Sequence, residues 1–264
     1  MKKLVRIAAA CALALSAQTA WATPSTVFWT PATTYVQPYL LPHLTFDTYF
    51  NDKAAYPINL GVTVGVLPFE KVQAEVGIDF FLPYWGNAIF VQPAGALQLN
   101  AKVGLVEGAF GEWFPGISGG IFGVGVNQGT QFSVLHGEIG KTFFFGAVTV
   151  GGYYGAGGTN ALWSDVDGVV LTRGGFMASY VSPDLVLDLK GIYKINFIAD
   201  IMTGNNAYSA AGGGIAVYFT PAIDVITGPV FFLNKYAQPG MSNMMWTVQL
   251  DVDIDFGAKD PAKS

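Results

Sequence analysis

Trp246-Thr247-Val248-Gln249-Leu250-Asp251-Val252-Asp253-Ile254-Asp255-Phe256 alternates apolar and polar side chains without an error. Trp246, Val248, Leu250, Val252, Ile254 and Phe256 form one set; Thr247, Gln249, Asp251, Asp253 and Asp255 form the other. Successive side chains of a strand point to opposite faces, so the stretch predicts a strand with one apolar and one acidic face. A helix would scatter the three aspartates around its axis. Eleven residues of strict alternation match the length of a tilted membrane-spanning strand.

The same pattern recurs upstream. Ile58, Leu60, Val62, Val64 and Val66 oppose Asn59, Gly61, Thr63 and Gly65. Val72, Ala74, Val76, Ile78 and Phe80 oppose Gln73, Glu75, Gly77 and Asp79. Leu97, Leu99, Ala101, Val103 and Leu105 oppose Gln98, Asn100, Lys102 and Gly104. Polar faces made of small residues and isolated charges suit a confined lumen. Further strands are expected near 43–51, 116–126, 131–141, 143–154, 169–180, 192–202, 210–219 and 223–233, twelve in all. Longer linkers rich in Gly, Asn, Pro and Trp (52–57, 82–95, 127–130, 155–168, 203–209 and 234–245) alternate with mostly shorter joins (67–71, 106–115, near Lys141-Thr142 and at 220–222). Such alternation places long loops at one mouth and tight turns at the other. The expected fold is all-β, a transmembrane antiparallel up-and-down β-barrel. Leu185, Leu187 and Leu189 alternate with Val186, Asp188 and Lys190, so residues 181–191 leave ten and fourteen strands as alternatives. Aromatic residues at the expected strand ends, among them Phe50, Phe69, Phe143, Tyr154, Phe219 and Trp246, read as two girdles at the headgroup level.

The barrel is expected over residues 43–256, flanked by three further segments. Residues 1–22 read as an export signal: Lys2, Lys3 and Arg6, an apolar run from Ile7 to Ala17, then Ala20-Trp21-Ala22. Cys11 lies in that run and leaves with it, which excludes disulfides and cysteine nucleophiles from the mature chain. Residues 23–42 carry Pro24, Pro31, Pro38 and Pro42 and are not expected to form a membrane strand; the periplasm or the barrel mouth is their expected place. Residues 257–264 form a tail. Removing the signal lowers the basic count from 13 to 10 against 18 acids, so no nucleic-acid partner is expected. With 52% hydrophobic and only 12% charged residues, much of the surface is expected to face outer-membrane lipid, because soluble domains carry about 25% charged residues. Helical spanning fails on the longest charge-free run, Thr142 to Ser164, which contains six glycines.

The closing strand ending at Phe256 resembles the C-terminal signal of Gram-negative outer-membrane proteins. That resemblance implies a place in the cell outer membrane and the barrel assembly machinery as a partner during biogenesis. Members of that class end on the aromatic, whereas here Gly257 to Ser264 follow. The whole chain is similar to porin-like and transporter outer-membrane barrels as a class, without a specific family.

The chemistry expected from these residues is passive passage of small solutes or ions. Glu75, Asp79, Lys102, Asp251, Asp253 and Asp255 are the expected lumen-lining residues, and their acidic balance predicts mild cation preference. If the linker 82–95 closes a symmetric hairpin, residues whose numbers sum to about 177 face each other, and Glu75 pairs with Lys102. A structural or adhesion barrel is one alternative, and it requires a plugged lumen. A membrane-embedded hydrolase is another, with Ser133, His136 and Glu138 as the nearest constellation; a regular strand separates Ser133 from His136. Asp251, Asp253 and Asp255, with help from Asp47 and Asp224, offer oxygen ligands that suit calcium, but a hydrated acidic wall is the preferred reading. The glycine pairs lack a following helix signal, so no nucleotide site is expected. No cofactor, no metal and no catalytic residue is expected.

Overall fold

The computed structural model describes residues 26–51, 58–82, 97–126, 133–156, 172–206, 208–234 and 243–256. The export signal, the C-terminal tail and most of the longer linkers lie outside these residues.

Twelve strands close into one antiparallel barrel in chain order. They are β1 (Pro42–Phe50), β2 (Ile58–Gly65), β3 (Val72–Leu82), β4 (Leu97–Leu105), β5 (Gly116–Gly125) and β6 (Val134–Phe143). The second half comprises β7 (Gly146–Gly155), β8 (Gly174–Val181), β9 (Lys194–Met202), β10 (Ala210–Thr220), β11 (Ile223–Phe232) and β12 (Met244–Asp253). β1 pairs with β12 from His43↔Asp253 to Phe50↔Trp246, which seals the cylinder and leaves no edge strand. The near mouth below is the one at which β1 begins and β12 ends; the other is the far mouth.

The alternation read from the sequence sets the faces. Leu60, Val76, Leu99, Val103, Ile139 and Leu250 are exposed on the outside. Thr63, Glu75, Lys102, Gln249 and Asp251 are buried on the inside. Exposed aromatic rings stand at the strand ends: Phe50, Tyr154 and Trp246 toward the far mouth, and Phe69, Phe143 and Phe219 toward the near one.

Several boundaries differ from expectation. The closing strand ends at Asp253 rather than at Phe256. The join foreseen at Lys141-Thr142 falls after Phe143: Phe143 pairs with Gly146, leaving a two-residue turn. Gly146 has φ +133°, a conformation that favours glycine and suits a tight hairpin. Residues 182–193 do not add a strand; their one ladder contact is an isolated bridge, Leu185↔Ile195. Hence the count is twelve rather than ten or fourteen.

The Pro-rich segment is neither outside the barrel nor confined to its mouth. Residues 26–41 run through the lumen. Phe28 packs with Tyr49, Phe232 and Met245 in the far half, and the Trp29 indole donates to Tyr208 O at 2.9 Å. At the near end Leu40 N donates to Gly65 O at 3.0 Å, and Leu41 leads into β1 without a linker. Val27, Phe28, Thr30, Ala32, Val36 and Gln37 are all buried.

The occupied lumen as candidate functional site

The inner wall holds the segment chiefly by its backbone. Asp200, buried on β9, accepts three consecutive N–H groups at one oxygen: Phe28 at 3.1 Å, Trp29 at 2.8 Å and Thr30 at 2.7 Å from Oδ2. Consecutive N–H groups that converge in this way form a nest for negative charge. Lower in the lumen Glu75 Oε2 accepts the Gln37 N–H. The carbonyls are met by donors: Gln249 Nε2 to Phe28 O at 2.8 Å, Ser179 Oγ to Ala32 O, and Lys102 Nζ to Thr33 O. Ser118 Oγ lies 3.2 Å from the same Thr33 oxygen. A backbone removed from water needs such partners, since each buried group left unpaired costs about 1–3 kcal/mol.

Glycines let the wall approach the segment. A Cβ on Gly65 would stand 2.1 Å from Pro38 O, and one on Gly116 would stand 2.5 Å from Thr34 Oγ1. Gly212 makes the same room for the Phe28 ring, 2.6 Å from its would-be Cβ. The wall facing this segment is apolar where Val27 and Phe28 meet Ala210, Ile226 and Val230. The lumen is thus not uniformly polar.

Each residue assigned to the lumen from sequence has a definite place. Glu75 and Lys102 face each other across the β3–β4 ladder, the register given by the sum rule. Both are buried, and both reach for the segment's backbone. Asp79 is half-buried and accepts from Asn59 Nδ2 at 3.3 Å and from Asn100 Nδ2. Asp251 and Asp253 are buried and joined by a residue not assigned a role there: His43 places Nε2 3.1 Å from Asp251 Oδ1 and Nδ1 3.0 Å from Asp253 Oδ1. Gln37 Nε2 also donates to Asp253 Oδ1, at 2.9 Å. Asp255 departs from the set: β12 ends at Asp253, and Asp255 is exposed beyond it.

Asp224 stands directly opposite Asp251 in the β11–β12 ladder, fully buried. Asp47 accepts from Thr45 Oγ1 at 2.9 Å, on the other flank of β12. Among the described residues no group of three or more His, Cys, Asp or Glu is disposed to hold a metal ion. Glu138 is shared by His136 and Ser118, with 2.8 Å between Ser118 Oγ and Glu138 Oε2. Ser133 instead sits in a left-handed conformation, φ 48°, just before β6.

Missing from the sequence reading were Asp200, Gln249 and Ser179 as partners of residues 26–41. One signal was available: glycines at Gly65, Gly104, Gly116 and Gly140 alternate with larger residues on the inner faces of four strands.

No protein-family model matches the chain, and no curated protein matches it in sequence. Among solved structures it is similar to an outer membrane channel from Pseudomonas putida F1, at 11% identity and TM-score 0.45, covering 85% of this chain and 99% of that one. It is similar to outer membrane phospholipase A from Escherichia coli at 12% identity and TM-score 0.44, covering 84% and 95%. A porin of Rhodopseudomonas blastica aligns at 11% identity and TM-score 0.34, covering 75% of this chain and 55% of the porin.

Proposed function

We propose that the chain is an outer-membrane channel for small solutes or ions, held shut by its own residues 26–41. The observation that carries this reading is the way the lumen is filled: a single tethered segment, bound by ionisable wall residues rather than by wall side chains meeting across the axis. A barrel serving only as a scaffold gains nothing from burying Glu75, Lys102, Asp200, Asp224, Asp251 and Asp253. Well-packed apolar side chains would fill it at no desolvation cost. Ionisable groups at membrane depth mark pathways and functional sites.

The exposed apolar outer face between two aromatic rims supports a place in a bilayer. The short turns at the near mouth, residues 66–71, 144–145 and 221–222, support a periplasmic place for it. Within the lumen Asp47, Asp79, Asp224, Asp251 and Asp253 outnumber the basic groups, and an opened pore would prefer cations. A second reading is a structural barrel that never conducts, favoured by the fact that residues 26–41 fill the lumen.

Planar-bilayer recordings separate the two. The full chain should conduct little. A full-length variant carrying Thr30→Pro and Gln37→Pro removes two N–H groups that the wall accepts, at Asp200 and Glu75. It should open a mildly cation-selective pore, and Asp251→Asn with Asp253→Asn should reduce that selectivity. A folded variant that is silent at every salt concentration would leave the structural barrel as the answer.

A further inference from the structure

We infer that the lumen is a binding site for peptide, and that residues 26–41 occupy it as an intramolecular stand-in for peptide cargo. The inference rests on the channel reading and names a class of cargo for it.

The argument lies in what the wall recognises. Side chains of β3, β4, β5, β8, β9 and β12 contact main-chain atoms at residues 28, 29, 30, 32, 33 and 37. Both polarities are served: carboxylates take N–H groups at Asp200 and Glu75, and donors from Lys102, Ser118, Ser179 and Gln249 take carbonyls. These groups exist in every peptide, whatever its side chains. Side-chain contacts include a polar one at Gln37, whose Nε2 reaches Asp253, and apolar ones, with the Trp29 ring edge-on to Tyr49 and Phe232.

Acceptors for N–H groups and donors for carbonyls, spaced along a channel, match a polyamide. At the near mouth the segment also begins to join the sheet, with a parallel bridge Tyr39↔Gly65 and Leu40 N donating to Gly65 O. Strand addition of this kind is a general mode of peptide capture that reads main chain first. Gly65, Gly104 and Gly116 keep the wall flat enough for a backbone to approach. Val36 fits against Gly104, 3.0 Å from its would-be Cβ, a shallow recess. Phe28 is instead enclosed by apolar wall residues, so side-chain choice is expected to matter most at the far end.

The test uses the full-length chain carrying Thr30→Pro and Gln37→Pro, checked for an intact barrel by its β-sheet circular dichroism. Three acetylated and amidated peptides are added to the conducting channel: the sequence of residues 26–41, a scrambled version, and the natural sequence N-methylated at residues 28, 29, 30 and 37. The first two should block the current with affinities within about tenfold of each other, and the third should bind at least tenfold more weakly than the first. Block by the natural sequence alone, insensitive to N-methylation, would show a plug read by its side chains and overturn the peptide site. Conduction without block by any peptide would also overturn it while leaving the channel reading intact. A folded variant that never conducts would remove both.

Discussion

Asp200 is the residue on which the upper half of the segment depends. Its Oδ2 is the shared acceptor of three consecutive N–H groups. Asp200→Ala strands these donors away from water, and hydrogen bonds to a charged group contribute about 1.5–3 kcal/mol each. We expect Asp200→Ala to free residues 26–30, read as new cleavage there by a protease that leaves the wild type intact. Asp200→Asn keeps one acceptor oxygen and should lie between the two. On the other face Leu250→Arg places a charge against hydrocarbon and should cost about 2–4 kcal/mol in a reversible unfolding assay. From sequence alone Gln249→Arg looks mild, since Gln249 points inward. The structure changes that expectation, because Gln249 is buried and donates to Phe28 O. Arginine there should unseat the segment, measured as increased conductance, while the barrel keeps its unfolding midpoint. Facing was legible at this scale because period two decides it. Partnership was not, because Asp200 and Thr30 are separated by 170 positions and no local pattern joins them.

At the level of elements, strands and segment were unequally legible. The β3–β4 register followed from two alternating runs and one hairpin, and Glu75 does face Lys102. Their charges do not simply meet across the ladder: Lys102 Nζ reaches Thr33 O, and Glu75 receives Gln37 N–H. Prolines correctly barred residues 26–41 from the membrane sheet, but a proline-containing chain can still lie inside a cylinder whose side chains supply its hydrogen bonds. The wall glycines give this a direct test. Valine is at home in a strand, yet a Cβ at Gly65 or Gly116 enters space held by Pro38 O or Thr34 Oγ1. The double variant Gly65→Val, Gly116→Val should therefore leave barrel circular dichroism unchanged and expel the segment. A cysteine placed at Val36, silent to a thiol reagent in the parent, should then react.

For the whole molecule the prediction is one of sidedness. Val126 is exposed at the far mouth, just after β5, and Pro68 lies in the near-mouth turn between β2 and β3. On intact cells a membrane-impermeant thiol reagent should label Val126→Cys and leave Pro68→Cys unlabelled. The reverse pattern would invert the barrel. Trp163 and Gln238, in the linkers 155–168 and 234–245, would serve the same purpose and lie outside the described residues. The barrel was implied by the repeated alternation of apolar and small polar residues and by the alternation of longer and shorter linkers. The contents of the cylinder were not, because no property of a wall sequence states which segment the wall encloses.

Leu41 joins β1 without a linker, and this makes the segment a leashed ligand. A short tether holds its ligand at an effective concentration of about a millimolar. A free competitor of equal intrinsic affinity would need about that concentration to win half of the barrels. Micromolar peptide should therefore leave the intact chain closed, even if it binds the vacated lumen well. Dilution will not open the barrel either, because the leash travels with it. One cut between residue 37 and β1 would change the arithmetic by roughly a thousandfold, converting a self-occupied site into an ordinary bimolecular one.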